Sequence, residues 1–561
     1  MLSHALRSVR ACTPRWWAVV LLLVAALPFA SIRTGATGPI MTATTVAALI
    51  ADINVANTNP MQGPYTINLV SGGLYSLVAE AVTGSGTGLP AIVSGVDLTI
   101  AGTGATIQRS TASGTPNFRI FSINNGATLR LTALTLRNGQ VTGAAGANGG
   151  NGTGNSGMAG GFARGGAMYN NGALIVTSDT FVQNGVNGGA GGNGGSGAST
   201  GLIGGTGGNG GAGGDAAGGA IYNAGTLTIT NSTFAANSAI AGIGGNGGPA
   251  GMGTSGKGAD GYGANGGDGQ GGTIASVANT SQSITNSTIT TGGAIGGVGG
   301  TGRNGIGAMG ASLGGGVFNG GSGISLTNTI FASNNATVGG NCAGYTLVDG
   351  GYNLEFSPTT TCNFLDHAQS GDPLLGVLAN HGGPTQTIPL GAGSAAINNG
   401  RSMACAGTAG GVDQRGLPRP AGQCSIGAFE PQAPPTLTVM SLTSGPIAGG
   451  SSVTLNGTGF LPGATVTFGV KSAITVTVVN PTTITVTTPA QIAGIVSVAV
   501  TNPDLQTTSA MPYTYGTVST SPAARPGGVS LGGSPRPLPG ARQPPGASSG
   551  SGPPSPLPPS R

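Results

Sequence analysis

The sequence predicts a mainly β chain: a parallel β-solenoid with glycine-rich insertions, then a small antiparallel sandwich. Three observations predict it. The stretch "GGAIYNAGTLTITNSTFAANSA", residues 218–239, has near copies starting at Gly165 and Gly314 and a worn copy at Gly271. Within each copy apolar and polar residues alternate with the two-residue period of a strand, then a turn pair interrupts. Residues 435–515 hold further short alternating strands, with the length and turn density of a sandwich.

At 561 residues the chain should hold more than one domain. With 113 glycines and 6% charged residues it would suit a disordered chain. Against that, apolar alternation persists between the glycine runs. The net charge of +5 comes from the ends. Arg7, Arg10, Arg15 and Arg33 lie in or beside a leader; Arg525, Arg536, Arg542 and Arg561 lie in a tail without acids. The body keeps 11 basic against 14 acidic residues, about −3. No basic face remains for nucleic acid.

Residues 1–33 read as a secretory signal, or as an uncleaved N-terminal anchor. A positive start precedes the apolar run "WWAVVLLLVAALPFA" at 16–30, with small residues after it. That run is short of the ~20 residues a spanning helix needs, and no other segment could span a bilayer. Cys342, Cys362, Cys405 and Cys424 remain after the leader, an even number in an exported chain. Three connectivities exist, and nearest neighbours, Cys342–Cys362 and Cys405–Cys424, are the first choice. A zinc site competes, but no C-x-x-C occurs and His367 and His381 lack ligand spacing.

In "TTVAALIADINVAN", Val46, Leu49, Ile50, Ile53 and Ala56 recur at helical spacing. A short amphipathic helix there would cap the open end of a stack. From about 60 to 345 strands dominate, so the capped solenoid is placed at 42–345. In "GTLTITNSTF", Leu227 and Ile229 point one way, and Thr226, Thr228 and Thr230 the other. Asn231–Ser232 then turns the chain, and Phe234 restores an inward residue. Matching pairs are Ser178–Asp179, Asn286–Ser287 and Asn328–Thr329. Asn and Asp tolerate left-handed backbone. A side-chain ladder through Asp179, Asn231, Asn286 and Asn328 is therefore expected at one corner. One coil cannot bury its apolar face, but its neighbours can.

The copies start 53, 53 and 43 residues apart. Between them lie glycine-rich insertions, roughly 140–164, 186–217, 240–270 and 292–313, which must leave from one flank. They admit two readings. One is flexible linker, dispensable to the solenoid. The other takes the three-residue period of "NGGAGGNGGSG" as an extended left-handed helix, bundled sideways with its neighbours. Collagen is excluded, since Pro249 is the lone proline there. Two earlier stretches, "VDLTIAGTGATIQ" and "NNGATLRLTALTLRNG", read as coils without insertions. Residues 346–432 break the repeat, and 516–561 read as a disordered, proline-rich basic tail.

At "DPLLGVLANHGGPTQTIPLGAGSAAIN" (372–398) and "DQRGLPRPAGQCSIGAFE" (413–430) the chain resembles the closing module of choice-of-anchor Q domain proteins. The resemblance covers roughly 45–430. It implies a right-handed parallel β-helix of the pectin-lyase-like kind on a bacterial surface or secreted protein, akin to polymorphic outer-membrane proteins. Members usually carry a varied C-terminal anchoring signal; no sorting motif, terminal apolar helix or terminal barrel is read here. Residues 435–515 resemble an IPT/TIG domain, an immunoglobulin-like fold, through "GPIAGGSSVTLNGTGF" (445–460). Such domains also occur in DNA-binding factors, but export and the missing basic face argue against that use. The insertions are similar in composition to mycobacterial PGRS repeats.

Pectate lyases and polygalacturonases also use β-helices, which implies clustered carboxylates, or acidic calcium ligands beside a base. The repeats offer only Glu80, Asp97, Asp179, Asp215, Asp260 and Asp268. Asp179 falls in a turn pair. "GADGYGANGGDGQGG" is too sparse in aspartate for a calcium-binding repeat. His381 lies near Asp372, with Asp413 and Arg415 following in the closing module. No G-x-S-x-G supplies a nucleophile, and no phosphate loop is present. Asp413 and Arg415 read as fold-holding. No catalytic, cofactor or metal residue is assigned. The expectation is a secreted or cell-surface, non-enzymatic scaffold for adhesion or cell-envelope interaction. Its partners would be surface glycans or envelope proteins, not nucleic acid, with membrane contact only through an uncleaved N-terminal segment. The alternative is a polysaccharide lyase or hydrolase.

Overall fold

The computed structural model describes residues 38–358, 360–365, 370–407 and 410–516. The expected leader, His367 and the expected tail beyond Gly516 lie outside them. Three parallel sheets form the solenoid walls. A nine-stranded sheet runs from Ile40–Ala43 to Val348–Asp349, an eight-stranded sheet from Leu74–Leu77 to Leu354–Phe356, and a six-stranded sheet from Phe121–Ile123 to Cys342–Gly344. Ile40–Ala43 pairs with the next strand, Tyr65–Leu69, across the helix between them; every later wall strand pairs with its counterpart one coil away and not with its chain neighbour. The walls therefore make a parallel β-helix.

Register follows the apolar columns. Leu131, Val176, Ile229, Ile284 and Leu326 stack rung on rung, each at most 1% exposed. Phe181 and Phe234 stack at 4.7 Å on the next wall. The worn copy shows what a rung tolerates. Gln282 takes the place of Leu227 in its column and is buried. Its Oε1 accepts from Ser276 Oγ at 2.7 Å and Asn223 Nδ2 at 2.8 Å, so no buried polar atom of that oxygen is orphaned.

The first end is covered by the helix Val46–Thr58. Thr45 caps it by accepting the Ala48 N–H. Leu49, Ile53 and Ala56 are buried against the first rungs, with Val46 and Ile50 partly buried beside them. At the other end, short strands Cys342–Gly344, Val348–Asp349 and Leu354–Phe356 add one more rung to each wall. The solenoid thus runs past the expected boundary at 345. These strands are only two or three residues long, too short for alternation to register. A Cys342–Cys362 disulfide closes this end, and Phe364 packs on Phe331 at 5.9 Å.

The segment that follows does not cap the solenoid. It runs back along the outside, over the corner between the nine- and eight-stranded walls. Asn328 bonds the Arg401 carbonyl, Asn286 that of Ala404, and Asn231 that of Val412. Gln414 reaches Thr233 and Thr180 on successive coils, and Thr385 reaches the Ser178 carbonyl. A second disulfide, Cys405–Cys424, ties this strap to itself.

Residues 436–516 form two sheets of four and five strands. Alternate strand residues, including Val453, Leu455, Phe468, Val498, Tyr513 and Tyr515, make a separate core with Phe460 from the loop after Ser452–Thr458.

Candidate functional site

The glycine insertions are an ordered platform, which overturns the flexible reading. Each is a hairpin. Its outgoing leg continues one of the strands Gln140–Thr142, Gly185–Asn187, Ser238–Ile240 and Gly293–Ile295. Its return leg ends in Ala163–Arg164, Ala216–Ala217, Gly269–Gln270 or Ser312–Leu313. Within a leg, hydrogen bonds recur every third residue. Gly188, Gly191 and Gly194 donate to the carbonyls of Ile240, Ile243 and Asn246 at 2.8, 2.9 and 2.8 Å. The adjacent Gly189, Gly192 and Gly195 donate to Gly161, Met158 and Asn155 at 2.9, 2.8 and 2.8 Å. Successive amides thus point to different neighbouring chains, as in a bundle of extended three-residue-per-turn helices.

Only glycine fits between such chains. A Cβ at Gly189, Gly192 or Gly195 would lie closer than 3.0 Å to the carbonyl oxygen of Ala144, Ala147 or Gly150. Ordering glycine is entropically costly. Here the strands at both ends of each hairpin already fix its start and finish, and the lateral bonds offset the rest. Asparagines fill one remaining donor position. The N–H groups of Asn193, Asn246 and Thr301 donate to the side-chain oxygens of Asn148, Asn193 and Asn246 at 2.8, 2.9 and 2.8 Å.

The platform presents every third residue on its surfaces. Ile240, Ile243, Ile295 and Val298 are 40–57% exposed on one of them. Its two edges differ from its interior. Tyr262 and Gly305, then Asn265 and Ala308, are successive acceptors in the return legs. That register puts Ile306 and Met309 where the preceding layer has Gly263 and Gly266. Those glycines abut the Gly300 and Gly297 carbonyls of the next layer; Ile306 and Met309 meet no further layer and are exposed. At the opposite edge, exposed Ala144 and Ala147 stand in the columns of Gly189 and Gly192.

The expected corner ladder divides in two. Ser178, Asn231, Asn286 and Asn328 have φ of 59°, 49°, 51° and 50°. Asp179 is the second member of its pair, so its counterparts are Ser232, Ser287 and Thr329. These inner residues make the ladder. Asp179 Oδ1 accepts the Leu134 N–H at 2.6 Å, Ser232 Oγ accepts the Asp179 N–H, and Ser287 Oγ accepts the Ser232 N–H. The asparagines lie one position earlier and so face the strap. Asn328 and Asn286 alone share a rung, at 3.0 Å. Two further ladders escaped sequence reasoning. Asn184 bonds Asn237 at 3.1 Å, and Asn170 bonds Asn223 at 2.6 Å. Their signal was present, as the asparagine that recurs at one position in "GGAMYN" and "GGAIYN" and at another in "TFVQN" and "TFAAN".

The acids singled out by sequence do not converge. Asp97 pairs with Arg130 and Asp260 with Lys257. Asp215 and Asp268 accept the Asp268 and Ala311 N–H groups within the platform. Glu80 accepts from Gly84. Burial pushes the Asp179 carboxyl well above the usual carboxylate range, against the pull of its bonds from Leu134 and Thr177. In the strap, Asp413 holds Arg415 at 2.8 Å and Glu430 holds Arg419 at 3.1 Å, all four buried. Burial raises Glu430 and lowers Arg419. Arg415 also lies over the Phe429 ring at 3.7 Å. His381 faces the Val377 carbonyl at 3.1 Å, while Asp372 accepts from Leu374. Among the described residues no group of three or more His, Cys, Asp or Glu could hold a metal ion, and no helix is long and apolar enough to cross a membrane.

Between the strap and the eight-stranded wall lies a groove of about 620 Å³. Val182, Ala235, Thr290 and Ala332 from successive coils form one side, and Asp372, Leu374 and Ile388 of the strap the other.

The IPT/TIG domain family matches residues 435–515, the sandwich. That domain is a non-enzymatic, immunoglobulin-like module often found in cell-surface proteins. No curated protein matches the chain.

Proposed function

We propose that the chain is an exported, non-enzymatic scaffold that attaches to surface glycans or other cell-envelope components. One observation carries this reading. The platform is a rigid array that repeats side chains at fixed spacing, as in Thr142, Asn187, Ile240 and Ile295, which are paired across four layers. Such an array suits contact with an extended, repetitive partner. The buried carboxylates support it too, since Asp179, Asp413 and Glu430 are each engaged in holding the fold. Two disulfides and the immunoglobulin-like module agree with an extracellular setting. The resemblance to choice-of-anchor Q proteins gives the same location, with residues 346–432 as the family's closing module.

The test is a glycan array and a pull-down from cell-envelope fractions with the purified full chain. Saturable binding without new reducing ends or unsaturated sugar products is expected. Product release would establish the lyase or hydrolase instead.

A further inference from the structure

Arg119 and Arg164 meet where the platform joins the six-stranded wall. Arg119 precedes the strand Phe121–Ile123, and Arg164 ends the first return leg. Their side chains lie against an aromatic stack. Tyr169 and Tyr222 are in register on adjacent coils, with ring centroids 5.2 Å apart and planes 17° from parallel. The Arg119 guanidinium lies 5.5 Å from the Tyr169 centroid. The Arg164 guanidinium lies 5.1 Å from both Tyr222 and Phe162.

Among the described residues these cations have no counter-ion, and neither arginine takes part in an ion pair. Arg119 donates to the Arg164 carbonyl at 3.2 Å, but its Nε is buried without an acceptor. Burial lowers its guanidinium below the ordinary range, and Tyr169 opposes that shift. Arg164 makes no hydrogen bond through its side chain among the described residues. The acid in the next layer, Asp215, accepts the Asp268 N–H through its Oδ1. A half-buried cation without a partner is costly. Aromatic faces offset part of that cost but supply no negative charge.

We propose that Arg119, Arg164 and the adjoining tyrosines form a subsite for the oxyanion of an acidic polysaccharide, a carboxylate or a sulfate ester. Both arginines and Tyr169 keep partial exposure, so an anion can approach. A guanidinium fork matches the paired oxygens of either group. Phe162, 61% exposed, adjoins Arg164 and offers an apolar face to the sugar ring. This inference rests on the scaffold reading and names the ligand chemistry within it.

The experiment is calorimetric titration of the purified full chain with heparin, polygalacturonate and dextran, at low and raised salt. Wild type should bind at least one acidic polymer, more weakly as salt rises, and should not bind dextran. Preference for heparin or polygalacturonate separates sulfate from carboxylate. R119Q/R164Q should bind at least tenfold more weakly. If that pair fails to fold by circular dichroism, R164Q alone serves, with a loss of threefold or more expected. Binding of neither acidic polymer, equal binding of dextran, or wild-type affinity in the folded variant would overturn the subsite. Envelope binding would then leave the scaffold reading standing, whereas cleavage of a polymer would end it.

Discussion

The backbone N–H of Asp179 donates to the hydroxyl of Ser232 one coil away, at 3.2 Å. The same aspartate receives the Leu134 N–H from the coil on its other side. It is a link in an internal ladder, and it is the link that can ionise. Its folded pKa is raised, chiefly by burial. Below about pH 4 it is protonated folded or unfolded, and its contribution is fully present. As pH rises the unfolded chain loses that proton first, so stability falls until the folded pKa is passed. Asp179→Asn should therefore gain on wild type as pH climbs from about 4. Thermal melts from pH 3 to 8 would show it, and a constant gap would refute it.

Ile229 sits at the middle of a stacked column. Ile229→Ala should cost about 2–5 kcal/mol, the usual range for a cavity in a packed core. Ile229→Asp should not accumulate as folded protein, because the charge has no partner there. Denaturant unfolding of the first and secretion of the second are the measurements.

Gly245 and Gly256 separate packing from composition. A Cβ at Gly245 would strike the Gly192 carbonyl, while one at Gly256 meets nothing within 4 Å. Gly245→Ala should remove hydrogen-exchange protection across the second and third layers. Gly256→Ala should stay within about 0.5 kcal/mol of wild type.

Removing 186–217 and joining Gly185 to Gly218 deletes one inner layer. The β-helix signal in far-ultraviolet dichroism should persist, since the wall strands remain. Amides of 143–161 and 242–267 should lose protection, because their lateral partners go. Unchanged exchange would mean that the layers do not support one another.

Replacing Cys405 and Cys424 by serine should loosen the strap. The bond spans 19 residues, worth about 3 kcal/mol in the loop-entropy account. Proteolysis within 400–425 should quicken while the solenoid's melting stays cooperative.

Strand, turn and copy number were legible because they rest on side-chain patterning. Leu227 and Ile229 are buried, with Thr228 between them exposed. The helical spacing around Leu49 and Ile53 likewise marks the cap. The platform was legible only as a period. Its contacts are backbone to backbone, and glycine carries no side chain to tell a packed leg from a linker. The strap was illegible for another reason. Its partners, such as Gln414 and Thr233, are 181 residues apart, a distance no local pattern spans. The Arg119–Tyr169–Tyr222–Arg164 cluster is scattered in sequence and becomes a unit only through coil register.

Between the copies that start at Gly165 and Gly218 the coil and the platform advance by the same number of residues. Tyr169 and Tyr222, Leu174 and Leu227, and Asn193 and Asn246 are all separated by 53 residues. Both stackings therefore grow by the same genetic unit. Tandem duplication of 218–270 would add one wall rung and one glycine layer together, in phase. The helix that covers the first end, the disulfide that closes the last, and the side chains bordering the platform would stay where they are. A duplication of that length would raise the wall and the platform in step, with no new junction to invent.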